Sequence, residues 1–172
     1  MEMEYLFEMP SVNTFTMPKL RKWVLGMCQG KVLNVFGGKT KLSRFYNKGK
    51  IIHNDLNPDI DSDTHYNAME IDYFFPRSSF DTAILDPPYT MYQAVHSYDG
   101  YRCQDITRVR NAVDKLVRSG GIVISLGYNS TGMSHRRGYK KSALLIVNSG
   151  GSHNDTMVLV EKKVRKSLTE VF

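Results

Sequence analysis

The strongest constraint on this chain is a recurrence: short apolar, β-branched runs alternate with stretches of helical periodicity, and most runs close in turn chemistry. Lys31–Phe36 (KVLNVF), Ile51–Asp55 (IIHND) and Asp81–Leu85 (DTAIL) are expected strands. So are Gly121–Leu126 (GIVISL), Ala143–Asn148 (ALLIVN) and Thr156–Glu161 (TMVLVE), with Thr64–Asn67 (THYN) a weaker candidate. Runs that are apolar at nearly every position suit strands covered on both faces, as in parallel sheets. Between them, Met17–Met27 places Leu20, Trp23, Val24 and Met27 at helical spacing. Gln104–Arg118 places Ile106, Val109, Ala112, Val113, Leu116 and Val117 on one face, before a Ser119-Gly120-Gly121 stop. Strands separated by helices imply βαβ units and an open, doubly wound α/β sheet. The segment Ser149–Asp155 is too short for a crossover helix, so the last two strands are expected to pair antiparallel.

A length of 172 residues with 41% hydrophobic content fits a single domain spanning 1–172, with no separate target-recognition domain expected. The formal charge of +6 suits a polyanionic partner, the alternative being a well-solvated basic surface. Cys28 and Cys103 are too few for a disulfide framework or a zinc site, and the histidines lack metal-ligand spacing, so no metal is expected. The acidic start MEMEYLFEMP is unlike a signal peptide, and no run approaches the ~18–20 apolar residues of a membrane span. A cytoplasmic setting without membrane attachment is the expectation.

In such sheets ligands bind beyond the carboxyl ends of the strands, near the reversal of strand order. The strand ends here read Phe36-Gly37-Gly38, Asp55-Leu56-Asn57-Pro58, Asn67-Ala68 and Asp86-Pro87-Pro88-Tyr89. Gly38-Lys39-Thr40 imitates the tail of a triphosphate-binding loop, but Leu33 stands where its first glycine belongs. Gly37 and Gly38 allow a ligand close to the backbone, and Asp55, about twenty residues on, is placed to accept hydrogen bonds from a ribose diol. Together they describe an adenosine pocket; the alternative is a tight turn followed by a helix cap. Two prolines after a buried strand fix the backbone and remove two donors. Asp86 and neighbouring carbonyls then form a rigid set of acceptors suited to an exocyclic amino group. Tyr89 offers a stacking plane, worth ~1–3 kcal/mol per base in comparable contacts.

With these residues the chain resembles the class I S-adenosylmethionine-dependent amino-methyltransferases that act on nucleic acid. The sequence DPPY at 86–89 matches that family's catalytic tetrapeptide, which implies catalytic roles for Asp86, Pro87, Pro88 and Tyr89. NVFGG at 34–38 resembles its glycine motif, implying cofactor contacts from Asn34, Phe36, Gly37 and Gly38. Asp55 with Leu56 resembles the ribose-binding segment, and Asn67 with Ala68 in NAMEI the adenine-binding one. NTFTMPKLRKWV at 13–24 resembles the segment under the cofactor methionine, with Phe15 and Thr16 as contacts. The resemblance spans nearly the whole chain, with departures at Asn34 and Asn67, where acids are usual, and at Thr40, in place of a second glycine.

The resemblance implies a Rossmann-like class I methyltransferase fold: a mainly parallel seven-stranded sheet with an antiparallel last strand and helices on both faces. It implies S-adenosyl-L-methionine as cofactor and methyl transfer to an exocyclic amino group, adenine N6 in DNA being favoured. RNA adenine or guanine and cytosine N4 stay open, as does a non-catalytic nucleic-acid-binding subunit. Two segments are candidates for nucleic-acid contact, the first through aromatics interleaved with cations and the second through a run of cations. One is Thr90–Gln104, with Tyr92, His96, Tyr98, Tyr101 and Arg102; the other is Gly127–Lys141, with Arg136 and Arg137, equally readable as a solvated face. Target specificity would come from these loops, a homodimer or a specificity partner.

Overall fold

The computed structural model describes residues 1–88, 105–151 and 153–164. Seven strands are present: β1 (Glu2–Phe7), β2 (Val32–Asn34), β3 (Ile51–His53), β4 (Phe80–Leu85), β5 (Val117–Gly127), β6 (Tyr139–Asn148) and β7 (Thr156–Lys163). They form one sheet in the order β1-β6-β7-β5-β4-β2-β3. Every neighbouring pair is parallel except those involving β7, which inserts antiparallel between β5 and β6. The short polar turn before β7 dictates this, since a chain that reverses over so few residues cannot return to the starting end.

Two α-helices are found among the described residues, α1 (Pro18–Met27) and α2 (Ile106–Leu116), one on each face. On the first face Leu20 and Val24 of α1 pack over Val32, Ile84, Ile124, Leu145 and Val158. On the second, Val109, Val113 and Leu116 of α2 pack over Leu33, Ala83, Leu85 and Val123. Successive residues of one strand, Ala83, Ile84 and Leu85, thus serve opposite cores, which is why the strand reads as a continuous apolar run. Each fully buried aliphatic side chain contributes about 1.5–3 kcal/mol. The start of α2 is fixed by Asp105, whose carboxylate accepts the N–H groups of Thr107 and Arg108 at 2.8 and 3.2 Å.

Three sequence expectations shift. Thr64–Asn67 is not a strand; it makes only an isolated bridge, Asn54 to Thr64. The seventh strand is instead β1, at the other edge, paired from Glu2↔Ala143 to Phe7↔Asn148. Its charged, mostly exposed sequence hides it, because an edge strand needs one modest apolar contact and its backbone pairing. Side chains then fasten it: Glu4 accepts the Trp23 indole N–H at 2.8 Å, and Glu8 accepts the N–H groups of Lys19 and Leu20 at 2.9 Å each. Glu8 thereby caps α1, whose first residue is proline. Third, α2 ends at Leu116 rather than Arg118, and Gly120-Gly121 form an irregularity within β5, not a helix stop. The pairing jumps from Phe80↔Val117 to Thr82↔Ile122, and Gly120 sits at φ +77°.

Candidate functional site

The parallel strands β2, β3 and β4 end on the same side of the sheet, and the order reverses at β2: the chain goes next to β3 on one side and later to β4 on the other. A cleft opens at that switch point, as the topology requires. Its floor is the turn after β2. The Gly37 N–H donates to the Asn54 carbonyl at 2.7 Å, and an added Cβ at Gly37 would lie 3.2 Å from that oxygen and 3.0 Å from Ser62 Oγ. A side chain there would crowd the backbone at the end of β3, so Gly37 answers to packing. Gly38 differs: its φ is +59°, and a Cβ would meet nothing within 4 Å. It lines the cleft with its open side.

Asp55 joins the two loops that frame this floor. One carboxylate oxygen accepts the Gly38 N–H at 2.8 Å and the other accepts the Asn57 N–H at 3.0 Å. A carboxylate has about four acceptor directions, so capacity remains for a diol. Behind it, Asn54 is buried and works as a staple. Its amide nitrogen donates to the carbonyls of Val35 and Tyr66 at 3.1 and 2.9 Å, while its oxygen accepts from Tyr66 N and Thr64 Oγ1 at 2.8 Å each. The Tyr66 ring stacks on Phe74 at 3.8 Å between centroids and meets Phe75 edge-on, giving the cleft a stiff aromatic wall.

The cleft brings together Phe15, Phe36, Gly37, Gly38, Asp55, Leu56, Asn67 and Ala68 of the expected cofactor residues, and adds Asp86 and Pro88 from the end of β4. Two expected residues stand elsewhere. Thr16 does not line the cleft; its hydroxyl lies 2.7 Å from both Ser11 Oγ and the Asn13 carbonyl. The turn Thr14–Thr16 is 3₁₀, so successive side chains point about 120° apart, and Thr14 and Phe15 face inward in place of Thr16. Asn34 is wholly buried inside the end of β2, its amide nitrogen 3.3 Å from His53 Nδ1. Burial holds the His53 ring below its ordinary pKa, hence neutral, and its Nε2 accepts the Ser43 N–H at 3.4 Å. With Nε2 accepting, the neutral ring carries its proton on Nδ1, and the amide orientation that turns Asn34 Oδ1 toward that N–H gives it an acceptor.

Asp86 stands directly after β4 at the inner end of the cleft. Burial pushes its carboxyl up to about 6, opposed by a hydrogen bond from Thr14. Pro87 is buried and Pro88 half-buried, and neither has an N–H to compete for acceptors. Tyr89, Tyr92, His96, Tyr98, Tyr101 and Arg102 lie outside the described residues. Arg136 and Arg137 sit on a 3₁₀ turn away from the cleft. Arg137 is committed to the fold: its Nε donates to Asn111 Oδ1 and its Nη1 to the Met133 carbonyl, both at 2.9 Å. Thr14, Asn54, Tyr66 and Met69 are among the cleft residues that sequence reasoning passed over. Thr14 and Met69 lay within motifs it did single out, and Asn54 and Tyr66 one residue from them, but residue type alone did not mark them as lining the cleft. Among the described residues, no group of three or more His, Cys, Asp or Glu side chains could hold a metal ion.

No protein-family model matches the sequence, and no curated protein matches it. Solved structures do. TrmN from Thermus thermophilus superposes with a TM-score of 0.61 at 18% identity over 86% of this chain and 49% of its own. This chain therefore spans about half the length of that protein. The N-methyltransferase NodS from Bradyrhizobium japonicum, crystallised with S-adenosylhomocysteine, gives 0.58 at 10% identity, covering 85% of this chain and 84% of its own. A putative rRNA-methylase from Clostridium thermocellum gives 0.58 at 7% identity, covering 85% and 96%. At such identities the likeness is one of fold: the sheet is Rossmann-like, of the class I methyltransferase kind, mainly parallel with an antiparallel last strand.

Proposed function

We propose that this chain is an S-adenosyl-L-methionine-dependent methyltransferase that modifies an exocyclic amino group of a nucleic-acid base, adenine N6 in DNA before others. One observation carries the reading. A single cleft at the switch point holds the open face of Gly38, the Asp55 carboxylate and, at its inner end, the Asp86 carboxyl. The residues present fit the donor. Asp55 would take the ribose hydroxyls, Leu56 and the Tyr66–Ala68 segment would flank the adenine, and the Gly37-Gly38 turn with Phe15 would hold the amino-acid portion. When bound, the donor supplies an electrophilic methyl group on a sulfonium.

The protein's own contribution is acceptor chemistry. An exocyclic amino nitrogen is a poor nucleophile while its lone pair is delocalised into the ring. Asp86 would accept a hydrogen bond from one of its N–H groups and so favour the pyramidal nitrogen and the positive charge that develops on it. Fixing that nitrogen in line with the methyl supplies much of the rest. Asp86 has to be ionised for this, so the rate is expected to rise with pH to a plateau above about 6. A base within a duplex would have to leave the stack. The aspartate that opens DPPY and the NTFT segment favour DNA adenine. RNA is the second reading, favoured by the likeness to a putative rRNA-methylase. We further propose that 1–172 acts as one catalytic domain, with specificity from its loops, a second copy or a partner protein.

The test is isothermal titration of S-adenosylmethionine into wild type and Asp55→Ala, with ATP–Mg²⁺ as control, then methyl transfer to DNA and RNA strands. Donor binding weakened about tenfold or more in the variant, and absent for ATP, is the expected result. No donor binding by the wild type would sink the enzyme reading.

A further inference from the structure

A second cavity lies across the Asp86-Pro87-Pro88 turn from the cleft, sharing Pro88 with it. Its walls come from Leu85 and Pro87, from Arg110 on α2, from Ser125 on β5, and from Asn129 and Thr131 in the connection that follows. That connection, residues 128–138, carries only a 3₁₀ turn between β5 and β6. Irregular chain of this kind is ordinarily mobile and a poor wall for a binding site. Here it is pinned from three sides. Glu161 on β7, 1% exposed, accepts the Met133 N–H at 2.5 Å and the Ser134 N–H at 3.3 Å. Lys141 on β6 donates to the Ser130 carbonyl at 2.6 Å, and Arg137, within the loop, ties the Met133 carbonyl to Asn111 Oδ1 on α2, at 2.9 Å each.

Two backbone features show how closely the loop is moulded to Glu161. Gly132 has φ +52°, and a Cβ there would fall 2.0 Å from Glu161 Oε2. Ser134 is held at φ +75°, a conformation that a non-glycine residue keeps only when its surroundings dictate it. A buried carboxylate is costly, and burial raises the Glu161 pKa against the two N–H bonds that lower it. Its neighbours in β7, Val158, Leu159 and Val160, fill core positions with aliphatic side chains. A strand needing only packing at 161 would do the same, so the carboxylate's work is on the loop.

We infer that Glu161 is a positioning residue for an acceptor-base chamber: it holds the 129–134 wall so that a single unstacked, planar base sits against Pro87 with its amino group toward Asp86. This rests on the methyltransferase reading. The chamber combines flat apolar surface from Leu85, Pro87 and Ile106 with polar groups suited to ring nitrogens and carbonyls. Among these, the Ser125 hydroxyl is buried and has no hydrogen-bond partner among the described residues.

The experiment compares wild type, Glu161→Ala, Glu161→Gln and Thr131→Val in two measurements: S-adenosylhomocysteine affinity by calorimetry, and methyl transfer to poly(dA) and poly(A) strands. Glu161→Ala is expected to raise the KM for the strand about tenfold while kcat and S-adenosylhomocysteine affinity stay within about twofold. Glu161→Gln keeps an acceptor for Met133 and is expected to recover to within about threefold of wild type, and Thr131→Val to raise strand KM alone. Unchanged strand KM in Glu161→Ala would overturn the inference and leave the proposed function standing. So would a parallel loss of donor affinity, which marks general loosening of the fold. Failure of the wild type to bind S-adenosylhomocysteine or to methylate either strand would overturn both.

Discussion

The two halves of the sheet are built to different ends. Strands β2 and β3, which carry the cleft, are three residues each, and their loops are joined by polar contacts: Asn54 stapling Val35 to Tyr66, and Asp55 bridging Gly38 and Asn57. Strands β5, β6 and β7 are long, pair over many residues, and fill both cores with aliphatic side chains. The first half holds a shape through hydrogen bonds that a ligand can extend. The second supplies the apolar burial that makes the first affordable. Changes in the long-stranded half should therefore cost stability, and changes in the short-stranded half should cost binding or rate.

The largest expected effect probes the long half. Ile124→Ala, emptying a fully buried position, should cost about 2–5 kcal/mol in denaturant unfolding while the protein that stays folded keeps its donor affinity. An equal loss in donor affinity would break the division. Next, Asp86→Asn should lower the methyl-transfer rate by about 10²–10³-fold. The same change should raise the melting temperature at neutral pH. Burial raises the Asp86 pKa from 3.8 to about 6, so its contribution to stability is complete below about 4 and lost as pH rises through about 6. Asparagine removes that loss, and the gain should vanish in scans near pH 4. Asp55→Ala should weaken the donor by about 1.5–3 kcal/mol, the range for hydrogen bonds to a charged group, with a smaller effect on unfolding. The smallest effect is Glu8→Ala, which removes the α1 cap and should cost about 0.5–2 kcal/mol in unfolding. Donor affinity should respond too, because α1 follows directly on Thr14 and Phe15.

What could be read ahead of the structure was whatever depends on residue type over several positions. The apolar runs that became β2 to β7 are legible because burial on both faces removes polar residues. Gly38, Asp55 and Asp86 are legible because each stands where a strand must end. What could not be read depends on phase or on tertiary contact. Thr14 rather than Thr16 faces the cleft because of the rotation of one 3₁₀ turn, which apolar spacing does not encode. Asn34 points into the sheet because its neighbour is His53, a contact between strands. Gly37 and Gly38 look alike in sequence, yet one answers to packing and the other to backbone conformation and an open cleft. The strand β1 was hidden by its own glutamates, of which Glu4 meets its partner, Trp23, on α1.

That edge strand has a directional consequence. Because β1 runs parallel to β6, it delivers the chain to the same rim of the sheet where β2, β3 and β4 end. Thr14 and Phe15 thus reach the cleft within a few residues of Phe7, with no crossover. Run the other way, a six-residue strand would have released the chain about 20 Å off, at the opposite rim. The polarity of the outermost strand, remote from any chemistry, decides which segment of the chain is in reach of Asp86.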